Sequence, residues 1–140
     1  MLGQYKLTID TTARGTTDIT AEVAGKVRAS GLDRGIAQLF VQHTSCSLLL
    51  TENADPDVRR DLEMLFRRLA PDGDPAYRHD TEGADDMAAH ARALLAGCSL
   101  SVPVAGGSLL LGTWQGIYLW EHRTGAHRRN VVVTLLGEGR

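Results

Sequence analysis

Apolar residues recur along this chain with two different periods, and the changes from one to the other mark out strands and helices. From Leu2 to Thr11 (LGQYKLTIDT) the pattern alternates loosely, which predicts a first strand. Thr17 or Asp18 then offers an N-cap, and Ile19, Val23 and Val27 recur every four residues on one face of a predicted helix. Gly31 stops that helix, as a glycine just past a helix end does. Ile36 to Gln42 is β-rich, with Ala37, Leu39 and Val41 on one side, and a second apolar run covers Leu48 to Leu50. The polar HTSCS between them marks either a hairpin bend or the shared end of two strands.

Asn53-Ala54-Asp55-Pro56 is a strong helix start, with Asp55 as N-cap and Pro56 at the first helical position. Val58, Leu62, Leu65, Phe66 and Leu69 form its apolar stripe, and Glu63 and Arg67 pair on the outside. Pro71 to Pro75 is a loop. A third helix begins at Asp85 or Asp86 and ends before Gly97, with Met87, Ala91, Leu94 and Leu95 as its buried stripe. His90 then points inward or toward a cleft.

The last third reads as two hairpins: Leu100 to Val104 with Leu109 to Leu111, and Ile117 to Arg123 with Asn130 to Leu136. Val131-Val132-Val133 suits a central strand covered on both faces. Strands outnumber helices and no regular βαβ alternation appears. The expected architecture is a single α+β domain over residues 1–140, with about three helices laid against a mainly antiparallel or mixed sheet.

Composition narrows the function classes. The chain has 140 residues, 43% hydrophobic and 23% charged, which is enough to bury a core without a disulfide framework. A net charge of −2 removes any global cationic field for nucleic acid. The arginine pairs 59-60, 67-68 and 128-129 alternate with acids and read as solvated faces. Neither a signal peptide nor an apolar stretch of spanning length is visible, so a cytoplasmic setting without membrane contact is expected.

Three of the five histidines have polar or acidic surroundings. His43 precedes Thr44 and Ser45, whose hydroxyls suit an imidazole or a phosphate oxygen. His79 lies three residues before Glu82, and His90 lies four after Asp86 on one helical face. Imidazoles are common zinc ligands, and Glu82 or Asp86 is placed to accept the second ring N–H. Glu52 and Asn53, beside the helix cap, and the GTWQG segment containing Gln115 are further candidates for ligand contact. Cys46 follows His43 by three residues, on the opposite face of a strand, which argues against a Cys–His nucleophile. No nucleophile elbow, Walker loop or dinucleotide fingerprint is present.

Four stretches together, HTSCSLLLTENADPDVRRDLE, YRHDTEGADDMAAH, GTWQGIYLWEHR and RRNVVVTLLGE, resemble the YjbQ family in order and over nearly the whole chain. The resemblance implies an α+β fold with a large mixed sheet and a homotrimer. The family's histidines in H-T-S, Y-x-H-x-x-E-G and D-D-M-P-A-H match His43, His79 and His90, and its late acidic position matches Glu121. Two departures stand out: HTSC replaces HTSA at Cys46, and DDMAAH replaces DDMPAH at Ala88.

Some family members are described as secondary thiamine-phosphate synthases. The resemblance therefore implies an enzyme that joins a pyrimidine diphosphate to a thiazole phosphate. On this reading His43, His79 and His90 bind a divalent, zinc-like metal; Glu82, Asp86 and Glu121 are the catalytic carboxylates. Thr44, Ser45, Asn53, Gln115 and Arg123 contact a small phosphorylated metabolite. Two alternatives remain open at this point: a metal-dependent hydrolase or phosphate-handling enzyme, and a non-catalytic binder of small anions.

Overall fold

A computed structural model describes residues Met1 to Arg140. The elements run β1 (Leu2–Asp10), β2 (Gly15–Asp18), α1 (Thr20–Ser30), β3 (Leu32–Val41), β4 (Cys46–Glu52), α2 (Pro56–Leu69), α3 (Asp86–Ala96), β5 (Ser99–Ala105), β6 (Ser108–Leu109), β7 (Gln115–Glu121) and β8 (Arg128–Gly139). They build two antiparallel sheets, one in the order β1-β8-β3-β5-β6 and one in the order β2-β7-β4. The result is the α+β class expected from the pattern, with three helices. No helix is long and apolar enough to cross a membrane.

The main core lies between the inner face of the larger sheet, helix α1 and one face of the smaller sheet. Strand alternation supplies it. Leu7 faces Val131, and Val133 lies between Tyr5 and Leu39, so every second residue of β1, β8 and β3 turns inward. Ile19, Val23 and Val27 of α1 and Ile117, Leu119 and Leu48 of the smaller sheet complete it. Gly31, in the left-handed region at φ 78°, ends α1 as the sequence indicates. The β5–β6 turn runs through Gly106 and Gly107, both at positive φ, the pairing that matches the twist of a tight hairpin.

Several expectations change. Residues Gly15 to Asp18 form β2 rather than a helix start, although the Asp18 carboxylate still accepts the Thr20 N–H at 2.9 Å. The second expected hairpin does not form: β7 sits between β2 and β4, whereas β8 sits between β1 and β3 in the other sheet. The HTSCS segment is the shared end of two strands, since β3 and β4 also belong to different sheets. Val132 is only half-buried, opposite Lys6 and Phe40, so the valine run is covered on one face.

The helices differ in which face they bury. Asp55 caps α2 by accepting the Asp57 N–H at 2.9 Å, with Pro56 next, as expected. Glu63, however, turns inward, taking Arg92 Nη1 and Trp120 Nε1 at 2.7 Å each instead of pairing with Arg67. Phe66 stacks on Trp120 with ring centroids 4.4 Å apart. In α3 the expected stripe is reversed. Asp86, Ala88, Ala89 and Arg92 are buried, while Leu94 is 85% and Leu95 58% exposed. The buried side is small enough for close packing and is fixed by Arg92 on Glu63 and on the Ala70 carbonyl.

Strand β7 is buried on both faces. Ile117, Leu119 and Glu121 face the main core; Tyr118 and Trp120 lie under α2, followed on the same side by His122. His122 Nε2 meets Ser47 Oγ at 2.8 Å and its Nδ1 has no partner. Burial, aided by the Arg92 and Arg14 charges, pushes its pKa down to about 3. The folded chain thus keeps His122 neutral where the unfolded chain, titrating near 6.5, takes up a proton. More protons on the unfolded state means stability falls with falling pH. This residue should contribute up to about 1.4 kcal/mol per pH unit across that window. Urea denaturation of His122→Asn should show a flatter fall in stability between about pH 6 and pH 4 than the parent chain; identical slopes would refute the assignment.

Candidate functional site

At the end of β7 the chain presents Glu121, His122 and Arg123 in succession, and the first and third each organise a polar cluster. Glu121 is fully buried on the core face. It accepts Arg129 Nε at 2.8 Å, Arg129 Nη2, Thr11 Oγ1 at 2.7 Å and the Arg123 N–H at 3.1 Å. Burial works to raise its pKa, but these donors hold the carboxyl below the usual value. Arg129 also binds Ser45 through Nη2, at 2.9 Å to Oγ. Period-two alternation with Val131 and Val133 is what turns Arg129 inward. The expected solvated role for Arg129 is thus replaced by a buried one.

Arg123 carries the second cluster. Its Nε donates to Asp85 Oδ2, its Nη1 to Asp86 Oδ1 and its Nη2 to the Glu82 carbonyl, all at 2.9 Å. Asp86 opens α3 with its side chain 2% exposed. Burial acts to raise its pKa, and the His79 hydrogen bond with the neighbouring His90 and Arg123 charges lowers it on balance. Its other oxygen, Oδ2, lies 2.6 Å from His79 Nε2 and 3.1 Å from His90 Nε2. The donor atoms of His79, Asp86 and His90 all fall within 4.8 Å of one another.

His90 has one further contact that bears on chemistry. Its Nδ1 lies 2.9 Å from the Thr44 carbonyl oxygen, an acceptor, and so carries the ring proton there. A neutral imidazole has only one N–H. Nε2 then turns a lone pair toward the Asp86 carboxylate, and two electron-rich atoms meet. A second ring proton or a cation between them removes the conflict. A ligating histidine commonly gives its other N–H to a backbone carbonyl in this way.

His43 and His90 share the wall of a cavity of about 410 Å³, which Thr44, Ala93, Leu94, Gly97 and Cys98 complete. The structure brings His79 and His90 together on Asp86, and it sets His43 apart from them. His43 Nε2 accepts the Asn130 N–H at 2.8 Å, so its lone pair is already used. Burial and the Arg129 charge lower its pKa and keep the ring neutral.

The other sequence candidates divide by position. Thr44 is exposed at the cavity and contributes its carbonyl; Ser45 is buried against Arg129. Arg123 has its donors directed at Asp85, Asp86 and Glu82, which makes it a positioning residue rather than a free phosphate contact. Glu82 is exposed, and Glu121 is locked in its ion pair away from the cavity wall. Asn53 and Gln115 lie at the far end of the β4–β7 ladder, six residue pairs from Cys46 and Glu121. At ~3.3 Å per residue that is roughly 20 Å. Cys46 is a core residue whose thiol burial pushes up to about 12, so the HTSC departure adds no nucleophile.

A profile of the family described as UPF0047 protein YjbQ-like matches residues 5–138. The chain belongs to this family. Among its relatives, the UPF0047 protein sll1880 of Synechocystis is 46% identical over 96% of this chain and 92% of its own length. The UPF0047 protein YugU of Bacillus subtilis is 38% identical, covering 94% and 97%. Of solved structures, hypothetical protein APE1520 from Aeropyrum pernix superposes with a TM-score of 0.88 at 30% identity, covering 97% and 99% of the two chains. The conserved hypothetical protein TT1486 of Thermus thermophilus gives 0.85 at 38%, covering 94% and 99%. The YjbQ-like resemblance of the four motifs thus extends to the whole fold.

Proposed function

We propose that this YjbQ-like protein is a metal-dependent enzyme acting on a small phosphorylated molecule, with His79, Asp86 and His90 holding the ion. The observation that carries the reading is His90, whose two ring nitrogens both face acceptors. The donor set fits such an ion. Two donor atoms bound at ~2.0–2.2 Å to one tetrahedral zinc lie roughly 3.3–3.6 Å apart; the 3.1 Å from His90 to Asp86 is near that spacing, and the 2.6 Å from His79 to Asp86 would have to open for an ion to enter. Two imidazoles and one carboxylate favour zinc or a similar transition ion over magnesium, which prefers oxygen ligands. When bound, the ion would supply a Lewis acid for a phosphoryl oxygen.

The chain's own residues do the rest. Arg123 holds Asp86 from its other oxygen, and the Thr44 carbonyl fixes the His90 tautomer. His43, Thr44 and the apolar wall formed by Ala93 and Leu94 receive the substrate. His43 replaces its expected ligand role with one of contact across the cavity, because its lone pair is taken.

Joining a pyrimidine diphosphate to a thiazole phosphate is a reaction of this class, in which a departing diphosphate needs cationic stabilisation. Two further proposals concern the setting. Both cysteines are free, which suits a reducing, cytoplasmic compartment. Exposed Leu94 and Leu95 on α3 form an apolar surface that a homotrimer would cover.

Elemental analysis of untagged protein should find about one transition metal per chain. His79→Ala, Asp86→Ala and His90→Ala should each lose it, while His43→Ala keeps it. Metal-free parent protein, or equal loss in His43→Ala, would rule out this ligand set. Incubation with the two thiamine precursors should give thiamine phosphate and diphosphate, and Asp86→Ala should abolish it. No product from metal-loaded protein would discard that reaction and leave the ion site standing. Sedimentation equilibrium should give the mass of three chains, reduced by Leu94→Asp with Leu95→Asp; a single-chain mass for the parent would end the trimer proposal.

A further inference from the structure

Two of the three ion-site residues stand on a fixed element, and the third does not. Asp86 and His90 belong to α3, which Arg92 anchors on Glu63 and on the Ala70 carbonyl; Asp86 is gripped besides by Arg123 Nη1 at 2.9 Å. His79 lies on the loop before α3. That loop closes on itself, since the Gly73 N–H donates to the Ala84 carbonyl at 2.8 Å. Both feet turn through glycines at positive φ, Gly73 at 66° and Gly83 at 108°. No residue from Pro71 to Ala84 is buried, and only Asp74 and Tyr77 are half-buried. Arg14 on Asp72 and Arg123 on the Glu82 carbonyl hold the feet. Above them one hydrogen bond joins the loop to the body, His79 Nε2 with Asp86 Oδ2. A surface loop with a closed neck and no buried anchor belongs to the least stable parts of a fold.

The loop is also hollow. A cavity of about 240 Å³ is lined by loop residues alone, among them Tyr77, His79 and Ala84. His79 thus has Asp86 on one side and open space on another. Its 2.6 Å contact with Asp86 is shorter than the spacing of two donors on one zinc, so an ion enters only when the ring draws back. We infer that residues 73–84 form a strap, which swings His79 off Asp86 to admit the ion and returns it as the ligand that locks the ion in. The glycine feet are the hinges, and the hollow is the space into which the ring withdraws. Without the ion, one half-exposed hydrogen bond keeps the strap shut; with it, a metal–imidazole bond does. The strap is therefore shut more firmly in the loaded protein. The inference deepens the ion-site reading given above and rests on it.

Arg78, exposed next to His79, reports on the strap, because trypsin cleaves after an arginine where the backbone can leave the fold. Chelator-treated and zinc-loaded parent protein are digested side by side, and the fragments 1–78 and 79–140 are followed by mass spectrometry. Zinc should slow cleavage after Arg78 about ten-fold, and cleavage after Arg28 on α1 by less than about two-fold. His79→Ala should be cut after Arg78 at the chelated rate with or without zinc. Protection surviving in His79→Ala would overturn the strap, as would equal protection at Arg28 and Arg78 or an uncut Arg78 in the metal-free parent. The parent comparison depends on no variant folding. Elemental analysis of the same samples separates the two readings. About one zinc per chain with cleavage unchanged sinks the strap and leaves the ion site standing; no bound zinc ends both.

Discussion

The arrangement of the site depends on one buried ion pair, Glu121 with Arg129. Taking a carboxylate and a guanidinium out of water costs several kcal/mol for each ion, about what a close, hydrogen-bonded contact returns. Here the carboxylate is saturated by Arg129, Thr11 and the Arg123 N–H. The pair ties the last residue of β7 to β8 and to the end of β1, so one contact joins the two sheets. It also sets where Arg129 meets His43 and, through the backbone of Arg123, where Asp86 is held.

Strand β7 separates two environments by simple alternation. One side adds Ile117 and Leu119 to an apolar core; the other packs Tyr118 and Trp120 under α2, with Glu63 as the common acceptor for Trp120 and Arg92. A strand covered on both faces has little freedom to move. The residues that follow it, His122 and Arg123, inherit that rigidity, and the carboxylates of Asp85 and Asp86 are aligned on a fixed guanidinium. The loop that carries His79 is held at its start by a bidentate Arg14–Asp72 contact and at its end by Arg123 on Glu82 and Asp85.

Much of this was legible in the order of residues. The Asp55-Pro56 cap, the Gly31 stop and the alternation of β1 all stand where local chemistry puts them, because those signals act over a few residues. The order of residues pointed to His43, His79 and His90 as one ligand set with Asp86 as a carboxylate partner of His90; folding gathers His79 and His90 on Asp86 and leaves His43 bonded to the Asn130 N–H. What failed was non-local. Thr124-Gly125 resembles a hairpin turn, yet the edges of β7 are claimed by β2 and β4 and those of β8 by β1 and β3. Leu94 and Leu95 match a helical stripe, but in the isolated chain the opposite face carries the Arg92 pairing and wins. Arg129 was hidden by the assumption that paired arginines face water; its spacing of two from Val131 and four from Val133 pointed inward.

The strand order carries a consequence for how the chain reaches this state. β8 follows the other seven strands in chain order, yet it lies inside the larger sheet, between β1 and β3. Until it arrives, both neighbours present open ladders of unpaired backbone groups, and β1 must wait for a partner more than a hundred residues away, as in Leu2 with Leu136. Closing so long a loop before any contact rewards it slows the search. The exposed edges are also the surfaces on which unfinished chains stick to one another. Nascent copies held close together would therefore be at greatest risk of aggregation in the interval before β8 docks.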